Sequence, residues 1–237
     1  MDPKEQALVT AKRAAGYHAA DMVSDGMVVG LGTGSTVFFA IERLHTRIRE
    51  GMEIWGIPTS YQTAIRAREY GIPLTSLDEH PVIDIAIDGA DQVDPDRNLI
   101  KGRGAAHLRE KCVAAAAMQF IVVADEQKIV RQLQGAVPVE VMPFAAGPVM
   151  NQLRALGCHP VIREAIKKDG PLISDNGNFV IDCMFSEIRD PAGLEAAIDS
   201  IDGVLGSGLF CKFTEKTTVI VAGGKKCRVI GSADVVP

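Results

Sequence analysis

No dense block of lysine or arginine occurs in the 237 residues, and the formal net charge is only -5. That excludes a broad basic surface built for a nucleic-acid backbone. An anion bound by this chain must be met by a local pocket rather than by the global field. Long apolar runs are also missing. The stretch MDPKEQALVTAKRAAGYHAA is charged and helix-like, so neither a signal peptide nor a membrane span is expected. The five cysteines (Cys112, Cys158, Cys183, Cys211, Cys227) show no paired spacing. This argues against a disulfide framework or zinc site and suits a reducing, cytoplasmic compartment. The histidines His18, His45, His80, His107 and His159 fall in no metal-ligand spacing, and no Ser-His-Asp arrangement is legible from order. Acid–base chemistry by carboxylates, with no metal, is the economical reading.

What is present is ordinary for a globular protein: 47% hydrophobic and 23% charged residues, enough chain for one large domain or two smaller ones. Lys4 to Ala20 reads as an amphipathic helix. MVVGLG is a short strand, and Ser35 or Thr36 is placed to cap the helix VFFAIERLHTRIRE. EIWGIP, IPLTSL, VIDIAI and QFIVVAD read as further strands, with helices over SYQTAIRAREYG and GAAHLREKCVAAAAM. Such alternation predicts an α/β fold, a mostly parallel Rossmann-like sheet with helices on both faces. Beyond Lys128 the order becomes β-α-β-β-α-β, from PVEVMPF to GVLGSGLF, as in a ferredoxin-like α+β domain. The tail TTVIVAGGKKCRVI offers one or two strands that can return to the first sheet. The expected division is therefore 1–132 with 207–237, and an inserted 133–206.

The stretch VGLGTGSTVFF raises the question of which phosphate it holds. A P-loop needs lysine before its Ser/Thr, and Gly34 stands there instead. The dinucleotide fingerprint starts at Gly30 and Gly32 but meets Ser35 at its third position, with no clear acid about 20 residues on. What remains is physical. Small residues let backbone N–H groups approach a ligand, and Thr33, Ser35 and Thr36 add hydroxyls at a helix start. This suits a single phosphate monoester; a plain strand-to-helix turn is the alternative. Asp88 and Asp91, flanking Gly89 and Ala90, should emerge at the C-terminal end of VIDIAI, where open α/β sheets collect ligands. They can bind a metal, share a proton or hold sugar hydroxyls, or they are two solvated acids of a capping turn. Asp94 and Asp96 read as turn residues, and Asp84 as either a supporting acid or an edge-strand surface residue. In IKGRGAAHLREK, Lys101 beside Gly102, Arg103 and Gly104 can stabilise an oxyanion, and Glu110 can serve as a base. A lone helical glutamate is more often a solvated surface residue. His107 reads as packing or surface, and Lys128 as another cation at the same sheet edge. Two classes survive: an enzyme acting on a small phosphorylated, hydroxylated metabolite, and a ligand-sensing module. The acids and cations gathered at successive strand ends favour the enzyme.

The segments GLGTGST (30–36), TSYQT (59–63), DGAD (88–91), KGRGAAHLREK (101–111), VADEQK (123–128), SDNGNFVIDCMF (174–185) and GSGLF (206–210) together resemble the A-type ribose-5-phosphate isomerase family. The resemblance implies interconversion of ribose 5-phosphate and ribulose 5-phosphate in the non-oxidative pentose phosphate pathway, with no metal or organic cofactor. It places the proton-transfer base on Glu110, acting through an enediol(ate). By the same resemblance Asp88 and Asp91 handle sugar hydroxyls and ring opening, and Lys101 favours the enediolate. The substrate-binding positions it implies are Thr33, Gly34, Ser35, Thr36, Asp88, Gly89, Ala90, Asp91, Lys101, Gly102, Arg103, Gly104 and Lys128, with Lys12 a further phosphate contact. Two departures stand out. Gln92 follows DGAD where the family commonly has an acid, and Arg103 interrupts what is often a glycine run. The inserted domain resembles an assembly platform for a homodimer or homotetramer.

Overall fold

The computed structural model describes residues 2–223 and 226–231. In chain order the elements are α1 (Pro3–Asp21), β1 (Val28–Leu31), α2 (Val37–Arg49), β2 (Trp55–Pro58), α3 (Tyr61–Glu69), β3 (Ile83–Gly89), β4 (Gln92–Val93) and β5 (Leu99–Ile100). They continue with α4 (His107–Ala116), β6 (Ala117–Asp125), β7 (Gly135–Val141), α5 (Ala146–Ala155), β8 (His159–Ile162), β9 (Phe179–Phe185), α6 (Pro191–Asp199), β10 (Val204–Ser207), β11 (Leu209–Phe210), β12 (Thr217–Gly223) and β13 (Lys226–Ile230). The chain forms two compact units. One comprises 1–90, 112–129 and 215–237, the other 91–111 and 130–214. Packing thus groups 91–111, 130–132 and 207–214 with the second unit, where the sequence suggests the first. Residues 1, 224–225 and 232–237 of the expected first domain lie outside the described residues.

Among the described residues the first unit carries a six-stranded sheet, ordered β13-β12-β6-β3-β1-β2. All neighbours are parallel except β12 and β13. Taken in chain order, its parallel strands run 2-1-3-4-5, a doubly wound order whose direction reverses between β1 and β3. Burial explains why these strands look apolar rather than alternating. Val29, Leu31, Ile85, Ile87, Ile121 and Val123 all pack inside one core with the alanines of α1 and the apolar face of α2. α2 keeps Val37, Ala40, Ile41 and Leu44 buried at helical spacing, and Arg47 and Arg49 complement its C-terminal end.

The second unit holds a four-stranded antiparallel sheet, ordered β10-β7-β9-β8. With α5 following β7 and α6 following β9, this is the split β-α-β arrangement expected from the sequence. Val137, Val139, Val141, Ile181 and Cys183 face a core completed by Val149, Leu153 and Ile198 from the two helices. A small sheet, β11-β5-β4, belongs to the same unit.

Several local expectations are corrected. IPLTSL is not a strand: Leu74 alone makes an isolated bridge to Gly56, since Pro73 offers only its carbonyl, to Gly56 N. GVLGSGLF is two strands. Gly208 breaks the run, giving its N–H to Pro138 O and its carbonyl to Lys101 N, so β10 pairs with β7 and β11 with β5. Asp84 is neither on an edge strand nor near a strand's C-terminal end; its carboxylate accepts the Val28 N–H at 2.8 Å and caps the start of β1. Asp94 is the turn residue expected, accepting from Asp96 N, Asn98 N and Asn98 Nδ2. The GAAHLREKCVAAAAM helix is shorter than its pattern, and Ala117 already belongs to β6.

Glu140 on β7 is fully buried, and its Oε1 accepts from Ser174 Oγ at 2.7 Å and from the side-chain amides of Asn176 and Asn178 at 2.9 Å each. One carboxylate thus organises the whole SDNGN turn. Glu140→Ala strands these donors and should cost about 3 kcal/mol. Glu140→Gln, which keeps an acceptor there, should cost less than half as much. Urea unfolding of both variants checks the ranking.

Candidate active site

In the first unit the Thr33–Thr36 segment follows β1 and the Asp88–Ala90 segment closes β3, on either side of the reversal point. Gly32 N donates to Ile87 O, and Thr33 N reaches Asp88 Oδ1 at 3.2 Å. Asp88 is buried and also accepts the Gly89 N–H at 2.7 Å. A Cβ on Gly32 would stand 2.7 Å from Asp88 Cα and inside contact distance of its carboxylate. Only glycine lets the two strand ends approach so closely.

The hydroxyls behave differently from the expectation that all three face a phosphate. Thr33 Oγ1 sits among Thr59 Oγ1 (2.9 Å), Ser60 Oγ (2.8 Å) and Thr63 Oγ1 (3.1 Å). Thr63 passes its proton to Gly32 O, and Thr59 to Leu31 O. Ser60 also caps α3, accepting the Thr63 N–H. Thr59, Ser60 and Thr63 are not among the expected residues; the signal for this network is the Ser/Thr run TSYQT just after an apolar strand. Ser35 Oγ accepts from Lys12 Nζ at 3.0 Å, and Thr36 precedes α2 without a side-chain cap, so neither fills the expected capping role. Among the described residues, no hydrogen bond takes up the N–H groups of Gly34, Ser35 and Thr36. This leaves a run of backbone donors beside an ammonium, at the start of α2. Lys128 is half-buried in the turn that follows β6, past the C-terminal end of that parallel strand.

The second unit holds the other candidates. Lys101 Nζ and Glu110 Oε2 are 3.1 Å apart, and their side chains are only 3% and 5% exposed. Glu110 is therefore not the solvated helical acid that its type suggests. Lys101 is placed by its backbone N–H on Gly208 O and by Phe210, whose ring centre lies 5.4 Å from the ammonium. Lys111 flanks the same ring at 5.2 Å and is itself paired with Glu195 at 2.8 Å. Asp91 is half-buried; its Oδ2 accepts the Arg103 N–H at 3.0 Å. Gly102 has φ +104, and a Cβ there would meet His107 Nδ1 at 2.8 Å, so this position needs glycine on both counts. Ala105 is held at φ 58, unusual for a residue with a side chain.

His107 is fully buried, correcting the surface alternative. Burial, then the Arg163 and Lys111 charges, push its pKa down to about 3. It is a neutral packing group at physiological pH. Among the described residues, no group of three His, Cys, Asp or Glu side chains is placed to hold a metal, and no helix is long and apolar enough to cross a membrane.

A family model described as ribose 5-phosphate isomerase A (phosphoriboisomerase A) matches residues 55–226. A ribose-5-phosphate isomerase A from Methanoregula boonei is 66% identical over 231 residues, covering 98% of both chains. The chain belongs to the ribose 5-phosphate isomerase A family. The structure of the A-type isomerase from Methanocaldococcus jannaschii is 42% identical with a TM-score of 0.89, covering 94% of this chain and 98% of that one. A D-ribose-5-phosphate isomerase solved in complex with phospho-erythronic acid is 40% identical with a TM-score of 0.90, covering 98% and 100% respectively.

Both departures from the ribose 5-phosphate isomerase A pattern have local explanations. The Gln92 amide donates to Gln134 O at 2.7 Å and accepts Gln134 N–H at 3.0 Å, a two-way pairing that an acid cannot make. The Arg103 side chain is 85% exposed, so it does not crowd its loop.

Two outcomes are expected. Gly32→Ala should lower kcat/KM by roughly 100-fold, because the loop must move away from Asp88; steady-state kinetics on ribose 5-phosphate read this. His107 has a folded pKa below its unfolded value, so its contribution is present above about pH 6.5 and is lost as pH falls toward about 3. Unfolding free energies from urea titrations across that window should fall by about 1 kcal/mol per unit of falling pH, and His107→Gln should remove this component.

Proposed function

We propose that the chain interconverts D-ribose 5-phosphate and D-ribulose 5-phosphate through a cis-enediol(ate), with Glu110 as the proton-transfer base. Family membership supplies the reaction. The observation that carries the assignment of the base is the Glu110 carboxylate, buried and 3.1 Å from the Lys101 ammonium. A proton α to a carbonyl is very weakly acidic, so most help must go to charge that appears only in the transition state. A base shielded from water and a cation fixed beside it meet those two needs. On this reading Glu110 takes the proton from C2 of the opened aldose and returns one to C1, while Lys101 favours the developing enediolate. Asp88 and Asp91 handle the sugar hydroxyls and ring opening. Gly89, Ala90 and the 102–104 backbone line the sugar.

The backbone N–H groups of Gly34, Ser35 and Thr36 take the phosphate, helped by Lys12 and Lys128. Thr33 supports that loop through its hydroxyl network, a change from the direct phosphate contact implied by the sequence. Phospho-erythronic acid, the ligand of one related structure, carries both a phosphate and a carboxylate. An anchor for the phosphate and another for the carboxylate are in keeping with one anchor for phosphate and one for the reacting carbons. The pathway role is the non-oxidative pentose phosphate route, the compartment the cytoplasm, and the assembled form a homodimer or homotetramer.

After chelator treatment the protein should still convert ribose 5-phosphate to ribulose 5-phosphate. Glu110→Gln should lower kcat by about 1,000-fold or more while substrate still binds, as read by turnover and by equilibrium binding. Wild-type-like turnover in that variant would sink the assignment of the base. An inactive parent would redirect attention to another sugar phosphate or to ligand sensing.

A further inference from the structure

Arg163 follows β8 and is fixed along its backbone from both sides, its N–H on Val180 O and its carbonyl accepting Leu172 N–H, each at 2.8 Å. Asp182 on β9 grips its guanidinium with both oxygens, Nε to Oδ2 at 2.8 Å and NH2 to Oδ1 at 2.5 Å. The remaining terminal nitrogen, NH1, donates to Gly102 O at 3.0 Å and to Arg103 O at 3.1 Å. Four of the five guanidinium N–H groups are thus engaged, by a carboxylate on one side and two consecutive carbonyls on the other. Its side chain is only 15% exposed.

Those carbonyls belong to the loop between Lys101 and α4. In a trans peptide the C=O and the following N–H point in opposite directions. Pinning Gly102 O and Arg103 O on Arg163 therefore turns the Arg103 and Gly104 N–H groups away from it. The Arg103 N–H lands on Asp91 Oδ2 at 3.0 Å. Gly102 O also closes the turn to Ala105 N at 3.0 Å, in a loop that needs positive φ at both Gly102 and Ala105. Such a backbone persists only when its surroundings over-determine it. A lysine cannot replace this arrangement, because a point charge lacks the planar fork that spans Asp182 and two carbonyls together.

We infer that Arg163, held by Asp182, is a positioning residue that sets the Gly102–Gly104 backbone, and through it Asp91, for the isomerase reaction. The inference rests on the proposed roles of Asp91 and Lys101. Arg163 touches neither the base nor its lysine in this arrangement; it acts through the loop.

The test uses the full chain and ribose 5-phosphate. Arg163→Ala should lower kcat by roughly 100-fold, with a smaller change in KM, and should also lower the urea midpoint because Asp182 and the two carbonyls lose their donor. Ethylguanidinium should restore much of the lost turnover, and ethylammonium at equal concentration should not. Parent-like kcat overturns the inference, and so does a loss that no guanidinium rescues. If Arg163→Ala does not fold, Arg163→Lys carries the same prediction, and parent-like kcat in that variant is equally fatal. Amide hydrogen exchange at Arg103, expected to quicken in the variant, reads the clamp without any turnover. Unchanged exchange overturns the clamp and leaves the base assignment standing. Quickened exchange with an active Glu110→Gln does the reverse.

Discussion

The second unit depends on a charge pair that water barely reaches. Lys101 and Glu110, 3.1 Å apart, each give up most of their hydration. Taking two such ions out of water costs several kcal/mol apiece, and their attraction offsets this only when geometry and further contacts are good. Much of the local architecture supplies that geometry. Gly208 holds the lysine's backbone, Phe210 presents its ring to the ammonium, and α4 begins just where Glu110 falls one turn inside it. The small sheet of β11, β5 and β4 buries Leu99, Ile100, Leu209 and Phe210, and it fixes the backbone on which Lys101 and Asp91 stand.

The first unit solves a different problem, presenting backbone donors without wasting them. Side-chain hydroxyls from TSYQT and the Asp88 carboxylate take up the inner surface of the β1 loop. That engagement leaves the N–H groups of Gly34 to Thr36 unclaimed among the described residues. The strand order supports this arrangement, because neighbouring strands at a reversal point send their connections to opposite faces and open a crevice there. The same economy recurs in the second unit, where Arg163, itself held by Asp182, donates to two loop carbonyls so that the N–H groups turn the other way.

Much of the fold was legible in the chain. The long apolar strands VIDIAI and QFIVVAD, the amphipathic α2 and the β-α-β-β-α-β order are local patterns with strong periods, and they survive folding unchanged in type. What failed was short or depended on a distant partner. IPLTSL has strand-forming residues but only a single bridge, and GVLGSGLF divides because Gly208 is claimed by Pro138 and Lys101. Asp84 could be assigned only once β1 lay beside β3 and placed the Val28 N–H in front of it. Arg163 and Asp182 gave no signal, since an arginine near a strand end is unremarkable until two carbonyls from residues 60 positions away are seen to meet it.

By itself the sequence determined the chemistry on offer: a glycine-hydroxyl loop too short of lysine for a triphosphate, acids after an apolar strand, and a lysine–glycine loop leading into a helix with a glutamate. Residue type and spacing dictate these, because they fix which donors and acids are available and roughly where along each element they fall. Only the tertiary structure decided which of them leave water and which partner each one meets. Burial turned Glu110 from an ordinary helical acid into half of an ion pair, and made His107 a neutral packing group. Desolvation and close contact are properties of neighbours brought from elsewhere in the chain, and no local pattern encodes them.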